Sequence, residues 1–378
     1  MRVLHFLRGR CSLQSSHGVD KTVYFLSRAQ AKESADVGVF CLSPKEVVEI
    51  PHVEVANFKP SWNAFSVPPD LIEACKCWQP DFIHLHCPYQ ISNVPIAKLA
   101  RKLKIPYAIT AHGNLSPRLL NRNPLLKKPY KRIFDLPLFN RSAFVHAISD
   151  MDDIRAYGVT RPLVVAPNGF DLQDLPEPLN SEKSGFPQFS GKDLVLYLGR
   201  LDIEQKGLDL LLKAFSGLQN TNPNAHLALA GPDWKGSLER LESLAGSLGL
   251  KHSVTFCGAV PGPQKYHLMK AARLFVHPSR WEAGIPFSVL EALATGTPVL
   301  LSAEADPNRR VEKRGAGLHA KLESDSWAEA IRNVLSLPST ETDKIGNYAR
   351  DLIKSEFGWQ ASAKTLLSAY RNHLTKPL

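Results

Sequence analysis

The chain predicts an α/β protein of two doubly wound domains, and three observations carry that prediction. Short apolar runs alternate with helical patterns through both halves, the alternation that builds parallel sheets with helices on both faces. The length, 378 residues, is too great for one compact core and suits two domains of ordinary size. The stretch from Leu274 to Ser302 spells out the repeating unit: a buried strand at Leu274 to His277, a break at Pro278 and a Gly-Ile-Pro loop. An apolar helical pattern follows from Phe287 to Leu293, then a stop at Gly296 and a second strand at Pro298 to Leu301.

Taken in order, the first half offers strands at Val3 to Leu7, Val37 to Leu42, Phe82 to Leu85, Tyr107 to Thr110, Phe144 to Ile148 and Leu163 to Val165. Helices fill the gaps, as at Val19 to Arg28 and Ile91 to Leu103. Ser149 and the following Asp150, Asp152 and Asp153 read as an N-cap and first-turn carboxylates of a helix over Ile154 to Gly158, in preference to a metal-binding Asp-x-Asp. The segment to Gly191 is rich in Pro, Ser, Gly and charge and reads as a linker. The second half opens with the strand Leu194 to Gly199 and the helix Leu208 to Leu218, followed by strands His226 to Ala230 and Ser253 to Cys257. It closes with amphipathic helices at Trp327 to Leu335, Tyr348 to Phe357 and Trp359 to His373. The domain reading is 1–175, a linker at 176–191, 192–357, and a last helix at 358–378.

The composition, 44% hydrophobic and 22% charged, is that of a soluble globular protein. No apolar run approaches the eighteen or more residues of a membrane span, and the N-terminus reads as a first strand, not a signal peptide. A cytoplasmic protein is the expectation. The six cysteines lack framework spacing, so reduced thiols are expected. The net charge of +10 is uneven: residues 1–176 carry 22 Lys and Arg against 15 Asp and Glu, the remainder 24 against 21. That bias suits an anionic partner. Nucleic acid is disfavoured, because no recognition module is present and aromatics are not interleaved with the basic residues.

Several residues carry chemistry at strand ends. The loop Gly284, Ile285, Pro286, Phe287 opens a helix at the carboxyl edge of a sheet, where backbone N–H groups and the positive helix end favour an anion. Glu282 before the loop and Glu291 within the helix offer carboxylate acceptors suited to sugar hydroxyls, although each also reads as an ordinary surface charge. After Gly199, Arg200 and Lys206 can converge on a diphosphate and stabilise leaving-group charge without a metal. His112, delivered by the strand Tyr107 to Thr110 and followed by Gly113, can meet a sugar hydroxyl. His84 and His86 share a strand face, but no further ligands are spaced nearby and a metal is disfavoured. From Arg118 to Arg132 the chain carries Arg118, Arg122, Lys127, Lys128, Lys131 and Arg132 among Leu125, Leu126, Ile133 and Phe134 with no acidic residue. This reads as a basic amphipathic segment for an anionic membrane or a lipid diphosphate, with a solvated helix face as the alternative.

The stretch PSRWEAGIPFSVLEALATGTPV resembles the signature of the family 4 (group 1) retaining glycosyltransferases of GT-B fold. Eight residues, where the family has seven, separate Glu282 from Glu291, so the family's first position falls on Ala283. Either Glu282 serves from one residue upstream or the first carboxylate is missing. The resemblance implies two Rossmann-like domains facing across a cleft, with the last helix crossing back onto the first domain. It implies hexosyl transfer from a nucleoside diphosphate sugar, such as a UDP- or GDP-sugar, to a saccharide or lipid-linked saccharide in cell-surface polysaccharide synthesis. No cofactor or metal is implied.

By resemblance, Arg200 and Lys206 hold the diphosphate, Glu291 the ribose hydroxyls, and Glu282 or the backbone after Gly284 the sugar, with His112 beside the donor sugar. Val260 stands at the base-flanking position. His17 and Gly18 occupy the place of a Gly-Gly pair, though Gly18 also reads as an ordinary turn glycine. Asn168 lies in a Pro-Asn-Gly hinge. A location at the inner face of the membrane accompanies the lipid-linked acceptor. Two rivals stay open: a nucleotide-sugar epimerase of the same fold, and a non-catalytic nucleotide-sugar-binding subunit.

Overall fold

The computed structural model describes residues 1–12, 18–45, 48–61, 63, 66–113, 115, 121, 123–149, 154–177 and 186–374. The chain divides into two compact units, Met1–Asn168 with Trp359–Leu378, and Gly169–Gly358.

In the first unit β1 (Arg2–Leu7), β2 (Asp36–Leu42), β3 (Glu54–Phe58), β4 (Phe82–His86), β5 (Tyr107–Thr110), β6 (Phe144–Ala147) and β7 (Leu163–Val165) form one sheet in the order β3-β2-β1-β4-β5-β6-β7. Every pairing is parallel. The inner strands are buried along almost their whole length, which is why they read as continuous apolar runs. Helices α1 (Gly18–Lys32), α2 (Pro69–Trp78) and α3 (Asn93–Lys102) connect them. A basic helical segment follows: α4 (Pro124–Tyr130), a π-helical turn at Lys131–Asp135, and α5 (Leu136–Phe139). Residues 154–158 form turns and not the expected helix. Gly158, at φ 99°, donates its N–H to the Arg155 carbonyl, and Val159 bonds back to Ile154, so the chain closes after one turn before Pro162.

The second unit holds β8 (Asp193–Leu198), β9 (Ala225–Ala230), β10 (Val254–Gly258), β11 (Leu274–His277), β12 (Val299–Ser302) and β13 (Gly317–Ala320), all parallel, in the order β10-β9-β8-β11-β12-β13. Its helices are α6 (Ile203–Lys206), α7 (Leu208–Ser216), α8 (Ser237–Ser247), α9 (Gln264–Ala271), α10 (Phe287–Thr295), α11 (Arg310–Lys313), α12 (Ser324–Leu335) and α13 (Ser339–Glu356). Apolar side chains fill both faces of this sheet. Phe170, from the expected first domain, and Phe189, from within the expected linker, pack into this core.

The last helix, α14 (Trp359–Leu374), belongs to the first unit. Trp359 stacks on Phe25 of α1 with centroids 5.9 Å apart, and the Tyr370 ring lies 4.5 Å from Phe82 of β4 and 5.9 Å from Phe144 of β6.

In each sheet the strand order reverses once, between β1 and β4 and between β8 and β11. At such a point the loops leaving the two strands diverge and open a crevice at their carboxyl ends. The loops at issue in the second unit run from Gly199 to Gly207 and from Pro278 to Pro286. All six cysteines are free thiols, and among the described residues no helix is long and apolar enough to cross a membrane.

Candidate active site

The two loops of the second unit are tied backbone to backbone. Asp202 caps α6 by accepting the Gln205 N–H at 3.0 Å, and Gly207 ends that helix in the left-handed region at φ 63°. A Cβ on Gly207 would lie 2.2 Å from the Pro278 carbonyl oxygen, so only glycine permits this approach. Arg280 donates its backbone N–H to the Gln205 carbonyl at 2.8 Å, and Gln205 Nε2 donates to the Trp281 carbonyl at 3.2 Å. The Arg280 guanidinium donates to the Ile203 carbonyl at 3.0 Å and to Asp209 at 2.9 Å.

This clasp brings Lys206 onto Glu282. The Lys206 ammonium donates to Glu282 Oε1, and the same oxygen lies 2.7 Å from the Ser279 hydroxyl and 3.0 Å from His277 Nε2. The two side chains of the ion pair are only 10% and 11% exposed. Burial pushes the Glu282 pKa up, but the Lys206 charge and the bonds from His277 and Lys206 outweigh it and hold the carboxyl at about 2. His277 is pulled down by burial, which the Glu282 hydrogen bond opposes. Arg200, one strand end away, donates Nη2 to Gln205 Oε1 at 3.4 Å and lies over the Trp234 ring at 4.3 Å. Its loop rests on another glycine contact: a Cβ on Gly231, at φ 149°, would sit 1.7 Å from the Gly199 carbonyl oxygen.

Beyond Glu282, Gly284 adopts φ 141°, Ile285 is buried, and Pro286 precedes the first helical residue, Phe287. The positive end of α10 therefore lies at this loop. Glu291, on the next turn of α10, is 4% exposed, and Lys265 at the start of α9 donates to its Oε1 at 2.5 Å. Val260 packs against the same core.

In the first unit His112 follows β5 with φ 50°, and Gly113 follows it at φ 70°. A histidine in that region stores local strain, a feature that clusters at functional sites. His112 Nε2 lies 3.0 Å from His86 Nδ1, and His86 Nε2 lies 3.0 Å from His5 Nδ1. Burial draws the pKa of His112 down to about 3 and that of His5 to about 4, and holds His84 and His86 well below the ordinary range. Ring nitrogens of His5, His84 and His86 lie within 4.8 Å of one another, but both nitrogens of each ring are already engaged by protein partners. Gly18 is the first residue of α1, and the Thr22 hydroxyl lies 3.0 Å from its carbonyl and 3.0 Å from Asn168 Oδ1. His17, Arg118 and Arg122 lie outside the described residues.

The structure thus brings together Arg200, Lys206, Glu282 and the α10 loop in one unit, and Gly18 with Asn168 in the other. Sequence reasoning missed Lys265 and Trp234, whose partners come from other elements, and Tyr370. A basic residue at the second position of a helix carries no signal of its own.

Comparison with known proteins decides the family. The family model described as "Glycosyl transferases group 1" matches residues 180–352, and that described as "Glycosyltransferase Family 4" matches residues 16–174. The chain belongs to this glycosyltransferase family. It is 34% identical over 212 residues to the phosphatidyl-myo-inositol mannosyltransferase of Mycobacterium leprae, covering 55% of each chain. To the D-inositol 3-phosphate glycosyltransferase of Frankia alni it is 27% identical over 400 residues, with 95% of each covered. The chain spans about half the length of several of the curated relatives it matches, the mannosyltransferase among them. Among solved structures, Anabaena HepE in complex with UDP-glucose aligns with a TM-score of 0.77 at 18% identity over 98% of this chain and 100% of that one. The fold is GT-B, built from two parallel-sheet Rossmann-like domains.

Proposed function

We propose that the chain transfers a hexosyl group from a nucleoside diphosphate sugar to a saccharide or lipid-linked saccharide, with retention at the anomeric carbon and without a metal. The observation that carries this reading is the buried Lys206–Glu282 pair, clasped beside Arg200 and the N-terminus of α10 at the point where the second sheet reverses its strand order. Two cations and a helix dipole at one crevice suit a diphosphate. A relative structure with UDP-glucose bound supports the donor class.

In this reading Arg200 and Lys206 take the leaving diphosphate. The bond from the anomeric carbon to the phosphate oxygen breaks as the acceptor oxygen bonds to that carbon, and the acceptor proton passes to the departing phosphate. Glu282 holds Lys206 in place for that work, and the backbone from Gly284 to Phe287 meets the sugar. Glu291 receives the ribose hydroxyls, with Lys265 fixing its carboxylate. His112 meets a hydroxyl of the donor sugar. Val260 flanks the base, and Gly18 and Asn168 border the acceptor side.

The basic segment adds a membrane-facing surface. Leu125, Leu126 and Ile133 are 89%, 76% and 61% exposed, beside Lys127, Lys128, Lys131 and Arg132. Exposed leucines among cations fit an anionic bilayer, a natural source of lipid-linked acceptor.

The deciding experiment is a thermal-shift panel of UDP-, GDP-, ADP- and dTDP-sugars without divalent cation, since stabilisation follows occupancy. One strong responder, followed by NMR of an α-linked transfer product from an α-linked donor, supports the proposal. An isomerised sugar in place of a transferred one would favour an epimerase. Binding without turnover on any acceptor tested would favour a binding subunit.

A further inference from the structure

The histidines of the first unit belong to a longer chain of contacts. His112 Nε2 meets His86 Nδ1 at 3.0 Å, His86 Nε2 meets His5 Nδ1 at 3.0 Å, and His5 Nε2 meets Gln30 Oε1 at 2.7 Å. Gln30 Nε2 meets the Tyr370 hydroxyl at 3.3 Å, and that hydroxyl meets His84 Nδ1 at 2.5 Å. His84 Nε2 meets the Thr110 hydroxyl at 2.6 Å, the hydroxyl meets His146 Nδ1 at 2.8 Å, and His146 Nε2 meets the Ala166 carbonyl at 2.8 Å. Apart from His112 at its end, every side chain of this series is buried. None of the contacts is to a carboxylate, so an imidazolium here would be a charge without a counter-ion, and the rings are neutral.

Neutral imidazole has one donor and one acceptor, and a carbonyl oxygen only accepts. These two facts set every direction. Ala166 requires a proton on His146 Nε2, which leaves His146 Nδ1 to accept from Thr110. Thr110 has then used its proton and accepts from His84 Nε2, so His84 Nδ1 accepts from Tyr370. The Tyr370 oxygen accepts from Gln30 Nε2, which points Gln30 Oε1 at His5 and demands a proton on His5 Nε2. The same step repeats at His86 and at His112. Which nitrogen of a histidine carries the proton is fixed by the partner of the other.

We infer that Tyr370 is a positioning residue, the link by which the Ala166 carbonyl holds His112 as the Nε2–H tautomer and leaves its Nδ1 as a hydrogen-bond acceptor. Among the described residues, no contact engages that Nδ1. The ligand it fits is a hydroxyl that donates, as a sugar hydroxyl does. This last step rests on the functional reading above; the tautomer does not.

Without Tyr370 the half of the chain from Gln30 to His112 loses its anchor. A flip of the Gln30 amide would reverse that half as a unit, putting the proton on His112 Nδ1. Tyr370→Phe removes only the hydroxyl and keeps the ring against Phe82 and Phe144.

Long-range ¹H–¹⁵N spectra of histidine-labelled protein near neutral pH read the tautomers directly. The expected wild-type result is Nε2–H at His5, His84, His86, His112 and His146. In Tyr370→Phe the expected result is Nδ1–H at His5, His86 and His112, with His146 unchanged. An Nδ1–H tautomer at wild-type His112, or a His112 spectrum untouched by the substitution, overturns the inference. Gln30→Met cuts the same link from the other side; if Tyr370→Phe does not fold, a His112 spectrum in Gln30→Met identical to wild type overturns the inference, and a changed His112 spectrum with His146 unaltered supports it.

A donor-affinity measurement separates the two layers. Reversal at His112 is expected to weaken the responding nucleotide sugar about tenfold, the worth of one hydrogen bond, with the parent nucleotide diphosphate unaffected. Wild-type protein that binds no nucleotide sugar refutes the functional reading while leaving the spectra to decide the tautomer. Reversed tautomers with unchanged sugar affinity refute the role given to Nδ1.

Discussion

Glu282→Gln is the substitution that most directly interrogates the second-unit site. Glutamine keeps the size and one acceptor oxygen but removes the charge that Lys206 faces, in a setting where both side chains are about one-tenth exposed. The folded carboxyl titrates at about 2 against an ordinary value of 4.5. A group held below its unfolded pKa contributes stability that is present above the unfolded value and is lost as pH falls toward the folded one. A depression of roughly two and a half units corresponds to about 3 kcal/mol at pH 7, of which about half remains at pH 3.

The measurement is urea unfolding followed by tryptophan fluorescence at both pH values, for wild type and variant. The expected gap is about 3 kcal/mol at pH 7 and half of that at pH 3, as for removal of one member of a buried pair. Adding Lys206→Met to the variant removes the stranded ammonium and is expected to recover most of the loss. A gap that is absent at pH 7, or one that does not shrink on acidification, would refute the view of Glu282 as the counter-ion of Lys206.

Three further outcomes are expected. Glu291→Ala leaves the Lys265 ammonium without this carboxylate and removes the proposed ribose acceptor, so nucleotide-sugar affinity by calorimetry should fall at least tenfold; full retention would remove Glu291 from the donor site. Gly207→Ala places a Cβ 2.2 Å from the Pro278 carbonyl oxygen at a residue with φ 63°, so its unfolding midpoint should show a loss of about 2 kcal/mol or more. Leu125→Asp with Leu126→Asp alters two exposed side chains and should leave stability unchanged while abolishing co-sedimentation with anionic lipid vesicles; equal sedimentation of both proteins would remove the proposed membrane face.

Much of the fold was legible because buried parallel strands must be apolar on both faces, and β1, β2, β4, β5, β6 and the inner strands of the second sheet announce themselves that way. The two strands that sequence reasoning passed over, β3 and β13, both lie at sheet edges. β3 sets exposed Glu54 and Asn57 around half-buried Val55 and Ala56 and buries only Phe58, so it offers no continuous run. The helix expected over 154–158 failed because a glycine in the left-handed region closed the chain after one turn.

The sequence alone determined the class of fold, the places of Arg200, Lys206, Glu282 and His112 in the loops that follow strands and of Glu291 in the helix after Gly284, and the family signature around them. Those are local properties: apolar period, glycine at a turn, a charge at a fixed distance from a strand. Only the tertiary structure decided what those charges face. Lys206 and Glu282 are 76 residues apart, and the clasp at Gly207 and Pro278 is what joins them. Tyr370 stands 286 residues from His84 and meets it because α14 packs onto the first sheet. Partners of this kind leave no trace in spacing, because the distance that matters is across the fold and not along the chain.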